Sequence, residues 1–182
     1  MRQDERRRFE LLAMPHLDAA YNLARWLAGN GTDAEDVVQD AYLRAFRYFH
    51  AYKGGNMRVW LLAIVRNTFF TWARENRSAR LVFAADAPVA QHTEDDALWA
   101  SPAPDPETLL LARLDAKTLN RLMERLPAEY REILVLREVE DLPYSDIATV
   151  AAIPMGTVMS RLSRARAALR RLWREAEDAH GV

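Results

Sequence analysis

Six arginines and no acidic residue lie between Gly156 and Arg174. They are Arg161, Arg164, Arg166, Arg170, Arg171 and Arg174. Guanidinium groups bind phosphates and pair bidentately with guanine edges, so this composition indicates nucleic-acid recognition. Two short hydroxyl residues, Thr157 and Ser160, precede the arginines on the same segment. The alternative interpretation is a solvated basic helix that closes an all-helical bundle.

The arginine-rich segment also has an apolar stripe at spacings of three and four residues, which predicts an amphipathic helix. The stripe consists of Val158, Leu162, Ala165, Leu169 and Leu172. Just upstream, residues 144–151 (YSDIATVA) predict a short amphipathic helix. Two helices joined by a tight turn, the second of them basic, are typical of a helix-turn-helix, whose second helix enters the major groove.

A second basic segment runs from Lys53 to Arg80, with six basic residues against the single acid Glu75. Aromatic residues are interleaved with these cations: Phe46, Tyr48, Phe49, Tyr52, Trp60, Phe69, Phe70 and Trp72. Aromatic faces stack on unpaired bases while cations follow the backbone, so the segment suits single-stranded nucleic acid. The alternative is that most of these aromatic side chains belong to the core.

No arrangement of residues predicts catalysis, and we expect no catalytic residue, no cofactor and no metal. His16, His50, His92 and His180 are scattered over separate elements, without a metal-binding or nucleophile motif. The absence of cysteine excludes disulfides, thiolate zinc sites and cysteine nucleophiles. The acids that begin at Asp33 only partly share a helix face, which favours a solvated or partner-binding surface over a magnesium site.

The composition predicts a soluble cytoplasmic protein without membrane insertion. Half of the 182 residues are apolar, which is enough for one or two packed cores. No apolar run approaches the length of a membrane span, and no signal-peptide pattern is present. The net charge is only −1, but residues 81–107 contain six acids and no lysine or arginine. The charge is therefore segregated along the chain.

Periodicity and turn signals predict an all-α protein with two small helical domains joined by a flexible acidic linker. The predicted helices cover residues 5–28, 33–52, 58–77, 107–126, 127–139 and 144–151, with the basic helix starting at Pro154. Thr32 or Asp33 is the predicted cap of the second helix. Periodicity is lost between residues 83 and 106, where prolines and acids dominate. The predicted divisions are 1–80 for the first domain, 81–106 for the linker and 107–182 for the second domain.

Four stretches together resemble a known family: DAEDVVQDAYLRAF, WLLAIVRN, LPAEYREILVLREVEDLPYSDIA and IPMGTVMSRLSRARAAL. In this order, across an acidic linker, they are similar to the extracytoplasmic-function (group IV) sigma factors of bacterial RNA polymerase. The resemblance covers roughly Phe9 to Arg171. It implies that residues 1–80 form sigma domain two and that residues 107–182 form sigma domain four with its helix-turn-helix.

The resemblance also implies three functional sets of residues. A core-binding set, which would dock on the clamp helices of the polymerase, comprises Asp33, Glu35, Asp36, Gln39 and Asp40. A −10 set, which melts and recognises that promoter element, comprises Lys53, Asn56, Arg58, Arg66 and Asn67. A −35 set in the major groove comprises Thr157, Ser160, Arg161 and Arg164. The implied partners are core RNA polymerase, promoter DNA (duplex at −35 and single-stranded at −10) and an anti-sigma factor.

Two positions depart from the family pattern. Met159 stands where lysine is frequent, so one DNA contact is expected to be missing. Asp141 replaces the usual glycine before the helix-turn-helix, and a left-handed aspartate can accommodate that backbone at small cost. Neither change threatens the predicted fold.

Two other functions compete with a promoter-specific sigma factor. A sigma mimic would sequester an anti-sigma factor without touching DNA, but the arginines of both DNA-facing segments argue against it. A plain helix-turn-helix regulator would leave the DAEDVVQ block and the acidic linker without a purpose. For a sigma factor regulated by an anti-sigma protein, we expect the free chain to be a loosely coupled two-domain monomer.

Overall fold

A computed structural model describes residues 3–81 and 116–180, and these residues form helices without any strand. The all-α prediction is therefore confirmed. The predicted linker lies outside the described residues except for Leu81, and so does the beginning of the helix predicted at residue 107. We call residues 3–81 the N-terminal domain and residues 116–180 the C-terminal domain.

Four helices form the N-terminal domain: α1 (Gln3–Ala13), α2 (Leu17–Ala28), α3 (Gly31–Arg47) and α4 (Met57–Leu81). The prediction of one helix over residues 5–28 is wrong, because a 3₁₀ turn, Met14–His16, separates α1 from α2. Pro15 lies in that turn, and proline has no amide hydrogen to donate to the preceding helical turn.

The start of α3 is fixed by a side-chain cap. Gly29 ends α2 in the left-handed conformation at φ +83°, and its N–H donates to Arg25 O at 3.0 Å. Asn30 is the cap, since its Oδ1 accepts the N–H of Asp33 at 2.9 Å. The prediction of Thr32 or Asp33 as the cap is therefore wrong, and α3 begins earlier than expected.

Several aromatic side chains around the end of α3 belong to the core, as the alternative interpretation proposed. The ring of Phe9 lies 5.2 Å from that of Phe46 and 5.3 Å from that of Phe49, both edge to face. Helix α3 ends at Arg47, five residues before the predicted end, and a 3₁₀ turn, Phe49–Ala51, follows. This turn redirects the chain toward the loop that precedes α4.

The C-terminal domain contains α5 (Ala116–Glu124), α6 (Ala128–Leu134), α7 (Tyr144–Ala151) and α8 (Met155–His180). One π-helical turn, Val135–Val139, extends α6. All five members of the predicted stripe on α8 are buried, which confirms that prediction. Helices α7 and α8 form the helix-turn-helix.

Two non-glycine residues of the C-terminal domain adopt left-handed backbone conformations. Asp141 has φ +47°, as predicted, and Ala152 has φ +54° in the turn between α7 and α8. Arg137 supports the first of these turns, since its guanidinium donates to Leu142 O at 3.0 Å and lies over the Tyr144 ring at 5.3 Å. The entry into α7 is thus held by a network within the domain.

The two domains pack against each other. Helix α4 contacts α7, and α2 contacts α6. One continuous apolar cluster includes Leu62 and Val65 of the N-terminal domain together with Ile147 and Val150 of the C-terminal domain. The expectation of loose coupling is therefore wrong for this structure, in which the domains share a core.

Candidate nucleic-acid interface

The core-binding set lies on α3, and none of its members is fully buried. Glu35, Asp36 and Gln39 are exposed, while Asp33 and Asp40 are half-buried. Asp33 accepts a hydrogen bond from the Asn30 amide at 2.7 Å, in the first turn where the helix dipole favours an acid. Asp40 pairs with Arg44 at 2.9 Å, one turn further along. The result is an acidic and polar strip that is accessible from solvent.

Leu43 is a candidate contact residue that the sequence interpretation missed. It lies one helical turn after Gln39 and is 58% exposed, whereas apolar residues elsewhere on α3 face the core. The available signal was its position outside the apolar stripe that contains Val37, Val38 and Ala41. A single exposed leucine is common on protein surfaces, so Leu43 is a candidate only because it lies beside the core-binding set.

The loop before α4 is held in place by its own residues. The Tyr52 hydroxyl donates to Gly55 O at 2.6 Å, and Gly54 and Gly55 have φ of +95° and +100°. Asn56 caps α4, because its Oδ1 accepts the N–H of Val59 at 3.3 Å. The half-buried rings of Tyr52 and Trp60 lie 5.2 Å apart next to this loop, where a splayed base could stack.

The structure divides the −10 set into two groups. Lys53, Asn56 and Asn67 are exposed, whereas Arg58 and Arg66 are half-buried. Asn56, Arg58 and Arg66 contact acids of the C-terminal domain. The Asn56 amide lies 3.4 Å from the Asp146 carboxylate, which is the longest of these contacts.

Arg58 forms an ion pair with Glu140, whose side chain is 4% exposed. The same carboxylate accepts a hydrogen bond from the Asn22 amide of α2 at 3.3 Å. His16 is close to this group, and its pKa is lowered by burial and then by the positive charge of Arg58. The Glu140 carboxylate therefore joins two helices of the N-terminal domain to the C-terminal domain.

Arg66 is enclosed more deeply. Its Nε donates to Glu132 Oε1 at 2.5 Å, its guanidinium lies 4.7 Å from the centre of the Phe70 ring, and another nitrogen donates to Asn67 at 3.2 Å. Glu132 is completely buried, and its Oε2 has no hydrogen-bond partner. Burial raises the pKa of Glu132, and the charge and hydrogen bond of Arg66 counteract part of that rise.

The sequence interpretation missed these three acids, Glu132, Glu140 and Asp146. A signal existed for Glu132, which directly precedes the apolar run from Ile133 to Leu136. A carboxylate buried on such a helix requires a cation close by. The sequence offers many arginines, however, and does not say that the cation comes from the other domain.

The −35 set lies at the beginning of α8, as the helix-turn-helix predicts. Ser160 is exposed and its hydroxyl donates to Thr157 O at 3.2 Å, while Thr157 is half-buried. Arg164 is exposed and Arg161 is half-buried. The charge of Arg161 acts on Glu132, lowering the pKa of that carboxyl, so Arg161 lies near the domain boundary.

The arginines of α8 do not all share one role. Arg166 pairs with Glu138 at 2.6 Å, and both side chains are largely buried, so this arginine fixes α8 against the extension of α6. Arg171 is 74% exposed. The solvent-exposed face of α8 therefore contains fewer arginines than the sequence indicated.

Two features are absent from the described ranges, residues 3–81 and 116–180. None of their helices combines the length and apolar character that crossing a lipid bilayer requires. Within the same ranges, no group of three or more histidine or acidic side chains is arranged to hold a metal ion.

Comparison with protein families assigns both domains. The family model of sigma-70 region 2 matches residues 12–79, and that of sigma-70 region 4 matches residues 116–169. The chain is 33% identical over 175 residues to the RNA polymerase sigma-H factor of Pseudomonas aeruginosa. The matched region covers 93% of this chain and 88% of that protein. The chain is 32% identical over 159 residues to the ECF RNA polymerase sigma factor SigE of Mycolicibacterium smegmatis, covering 87% of this chain but only 59% of that relative.

Two solved structures with a similar arrangement of helices are complexes of two proteins. The sigma factor RpoE in complex with the anti-sigma factor NepR from Bartonella quintana matches with a TM-score of 0.69 and 26% identity, over 91% of this chain and 96% of that one. CnrH in complex with the cytosolic domain of CnrY matches with a TM-score of 0.58 and 28% identity, over 93% and 90%. The chain thus belongs to the extracytoplasmic-function family of RNA polymerase sigma factors.

Proposed function

We propose that this sigma factor binds core RNA polymerase and directs it to promoters with defined −10 and −35 elements. The observation that supports this most strongly is the combination of two different nucleic-acid surfaces in one chain. A helix-turn-helix presents hydroxyls and arginines at the start of α8, and a basic loop and helix carry half-buried aromatic rings in the other domain. Duplex and single-stranded DNA require these two kinds of surface respectively.

The −35 set would bind duplex DNA in the major groove. Ser160 and Arg164 are exposed near the beginning of α8, the part of a recognition helix that reaches base edges. Met155 and Met159 are exposed on the same segment, at 51% and 38%, and can contact thymine methyl groups. Residues 107–182 would constitute this DNA-binding domain.

The −10 set would bind the melted strand. The loop from Lys53 to Asn56 is held in place by the hydrogen bond of Tyr52 to Gly55 O, beside the rings of Tyr52 and Trp60. Flipping a base from the stack costs a few kcal/mol, which a ring-lined pocket and phosphate contacts can offset. Residues 1–80 would form this domain, and residues 81–106 would be the linker.

The core-binding set would contact the clamp helices of the polymerase. Its exposed member Gln39 lies one helical turn before the exposed Leu43, and interfaces combine apolar residues with a polar rim. We further propose that an anti-sigma factor regulates the chain. The support is that the sigma factor RpoE of Bartonella quintana was solved in complex with the anti-sigma factor NepR and matches 91% of this chain.

Run-off transcription tests this function directly. Purified core polymerase is supplied with a promoter library, with and without this chain. Discrete new transcripts are expected and would yield both promoter elements. Arg171→Ala, which alters an exposed arginine far from the start of α8, is the control and should leave the promoter preference unchanged. Failure to bind core polymerase at all would overturn the proposal and favour a sigma mimic.

A further inference from the structure

Three polar contacts between the domains share one property. On the N-terminal side each uses a member of the −10 set, Asn56, Arg58 or Arg66, and on the C-terminal side each uses a carboxylate. We propose that Glu132, Glu140 and Asp146 act as an internal substitute for promoter DNA, and hold the half-buried Arg58 and Arg66, together with the exposed Asn56, in a closed state that competes with it. This inference rests on the proposed function for the identity of the DNA-binding side chains.

The chemistry of the contacts supports competition. Carboxylates and phosphate oxygens are both anionic acceptors, and a guanidinium binds either one through the same donors. In the closed structure only 31% of the Arg58 side chain and 18% of the Arg66 side chain are exposed. The carboxylates occupy guanidinium donors that a nucleic-acid strand would also use, so full engagement of both arginines by a strand requires these ion pairs to break.

Glu132 is the most deeply buried of the three acids. Its side chain is 0% exposed, and it accepts a hydrogen bond from Arg66 Nε at 2.5 Å. The Arg66 guanidinium also lies 4.7 Å from the centre of the Phe70 ring. This member of the −10 set is therefore enclosed on more than one side in the closed state.

The closed state is suited to reversible opening. Glu132 Oε2 and Arg131 Nε are buried without hydrogen-bond partners, so the polar part of this interface is incompletely satisfied. Arg131 also donates across the boundary to Leu27 O at 3.1 Å. Separation would return these polar atoms to water, which recovers part of the free energy lost when the apolar contacts are broken.

Mass action makes the consequence measurable. When only a fraction of molecules is open, the apparent dissociation constant for DNA equals the intrinsic one divided by that fraction. By linkage, DNA that binds the open state must also increase its population. Conformation and DNA affinity should therefore change together when the acids are neutralised.

The test compares two triple variants with the same change in net charge. One carries Glu132→Gln, Glu140→Gln and Asp146→Asn at the domain interface. The control carries Glu124→Gln, Glu175→Gln and Glu177→Gln, which are exposed acids of the C-terminal domain. Because the chain contains no cysteine, Thr32→Cys and Ala167→Cys, both at exposed positions, provide sites for a fluorescent donor and acceptor.

Energy transfer between the labels is expected to fall in the interface variant and to stay unchanged in the control. The affinity for a labelled single strand of mixed sequence, about 20 nucleotides long, is expected to rise roughly tenfold in the interface variant alone. The same strand should lower energy transfer in the wild-type chain. Helix content by circular dichroism verifies folding. If glutamine at the fully buried position 132 prevents folding, the double variant Glu140→Gln with Asp146→Asn replaces the triple variant.

Unchanged energy transfer in a folded interface variant would overturn the proposed closure. A variant that opens but binds the strand no better than the control would overturn competition with DNA. Neither measurement contains polymerase or a promoter. Their failure is therefore distinguishable from failure of the proposed transcription function.

Discussion

The carboxylate of Glu132 is fully enclosed, yet only one of its two oxygens has a hydrogen-bond partner. Removing a carboxylate from water costs several kcal/mol, and attraction to one arginine does not always compensate. The raised pKa of Glu132 has this origin, because burial outweighs the opposing effect of Arg66. The Arg66–Glu132 pair is thus better suited to specifying an arrangement than to stabilising it.

The pH dependence of this carboxyl follows from that shift. An acid with a raised pKa in the folded state contributes stability that is complete below its ordinary pKa of 4.5 and is lost as pH rises through the folded value. Glu132→Gln, a neutral substitute, should therefore become progressively more stable relative to wild type as pH rises from about 4 to about 8. Urea unfolding at several pH values measures this. A difference that shifts in the opposite direction would mean that Arg66 dominates.

Arg164 is the −35 residue whose contribution is easiest to isolate. If it pairs bidentately with guanine, Arg164→Ala should cost about 1–3 kcal/mol of binding to the −35 duplex and relax the preference at one base. Binding assays on matched duplexes would detect the loss. Arg171→Ala should at most weaken all sequences equally. Unchanged affinity and preference would remove Arg164 from the −35 set.

At the scale of elements, periodicity predicted where helices lie, and local chemistry decided where they end. The apolar stripe of α8 correctly predicted which face of the helix is buried, because apolar residues spaced three and four apart all lie on one side of a helix. Pro15 breaks an otherwise helical pattern, and α3 is capped by Asn30 and not by Thr32 or Asp33. Such ends depend on single side chains and are weakly encoded in periodicity.

The turn of the helix-turn-helix contains a strained residue that can be relieved. Ala152 has φ +54°, a conformation that costs an L-residue about 1 kcal/mol relative to glycine. Ala152→Gly should therefore increase the free energy of unfolding by about that amount. The same substitution in the middle of α8, Ala167→Gly, should decrease it by about 1 kcal/mol. Chemical denaturation of both variants provides the comparison, and destabilisation by Ala152→Gly would contradict the strain.

The exposed face of α3 makes a prediction for polymerase binding. Asp36→Arg with Gln39→Ala should weaken binding to core polymerase by about 2 kcal/mol, or roughly thirtyfold, since it inverts charge at an interface. The fold should persist because both positions are exposed. Asp18→Arg, an equally exposed charge reversal on α2, is the control. Normal polymerase affinity in the folded double variant would defeat the assignment of this face.

At the scale of the whole molecule, the packing of the domains was the least predictable feature. The apolar stripes identified each domain's core, but not that Leu62 and Ile147 would belong to one cluster. Long-range pairing depends on shape and on buried acids such as Glu140, whose partner Arg58 is 82 residues away in the chain. An amphipathic pattern specifies that a face is buried and leaves its partner open.

The shared core predicts cooperative unfolding. Because the apolar cluster spans both domains, loss of one domain should expose apolar surface of the other, and wild type should unfold in a single transition. Circular dichroism and intrinsic tryptophan fluorescence should give coincident urea midpoints. The interface triple variant should separate them, while the exposed-acid triple variant should not. Two resolved transitions in wild type would contradict the coupling.

The dual contacts of Asn56, Arg58 and Arg66 also constrain how such a protein can be redesigned. Each side chain faces an acid of its own chain in the closed structure and would face DNA in the open one. A graft that alters promoter preference at these positions would simultaneously alter the resting population of closed molecules. When recognition loops are exchanged between relatives, the opposing acids should therefore be transferred together with the loop. Without them, the basal level of transcription is expected to change.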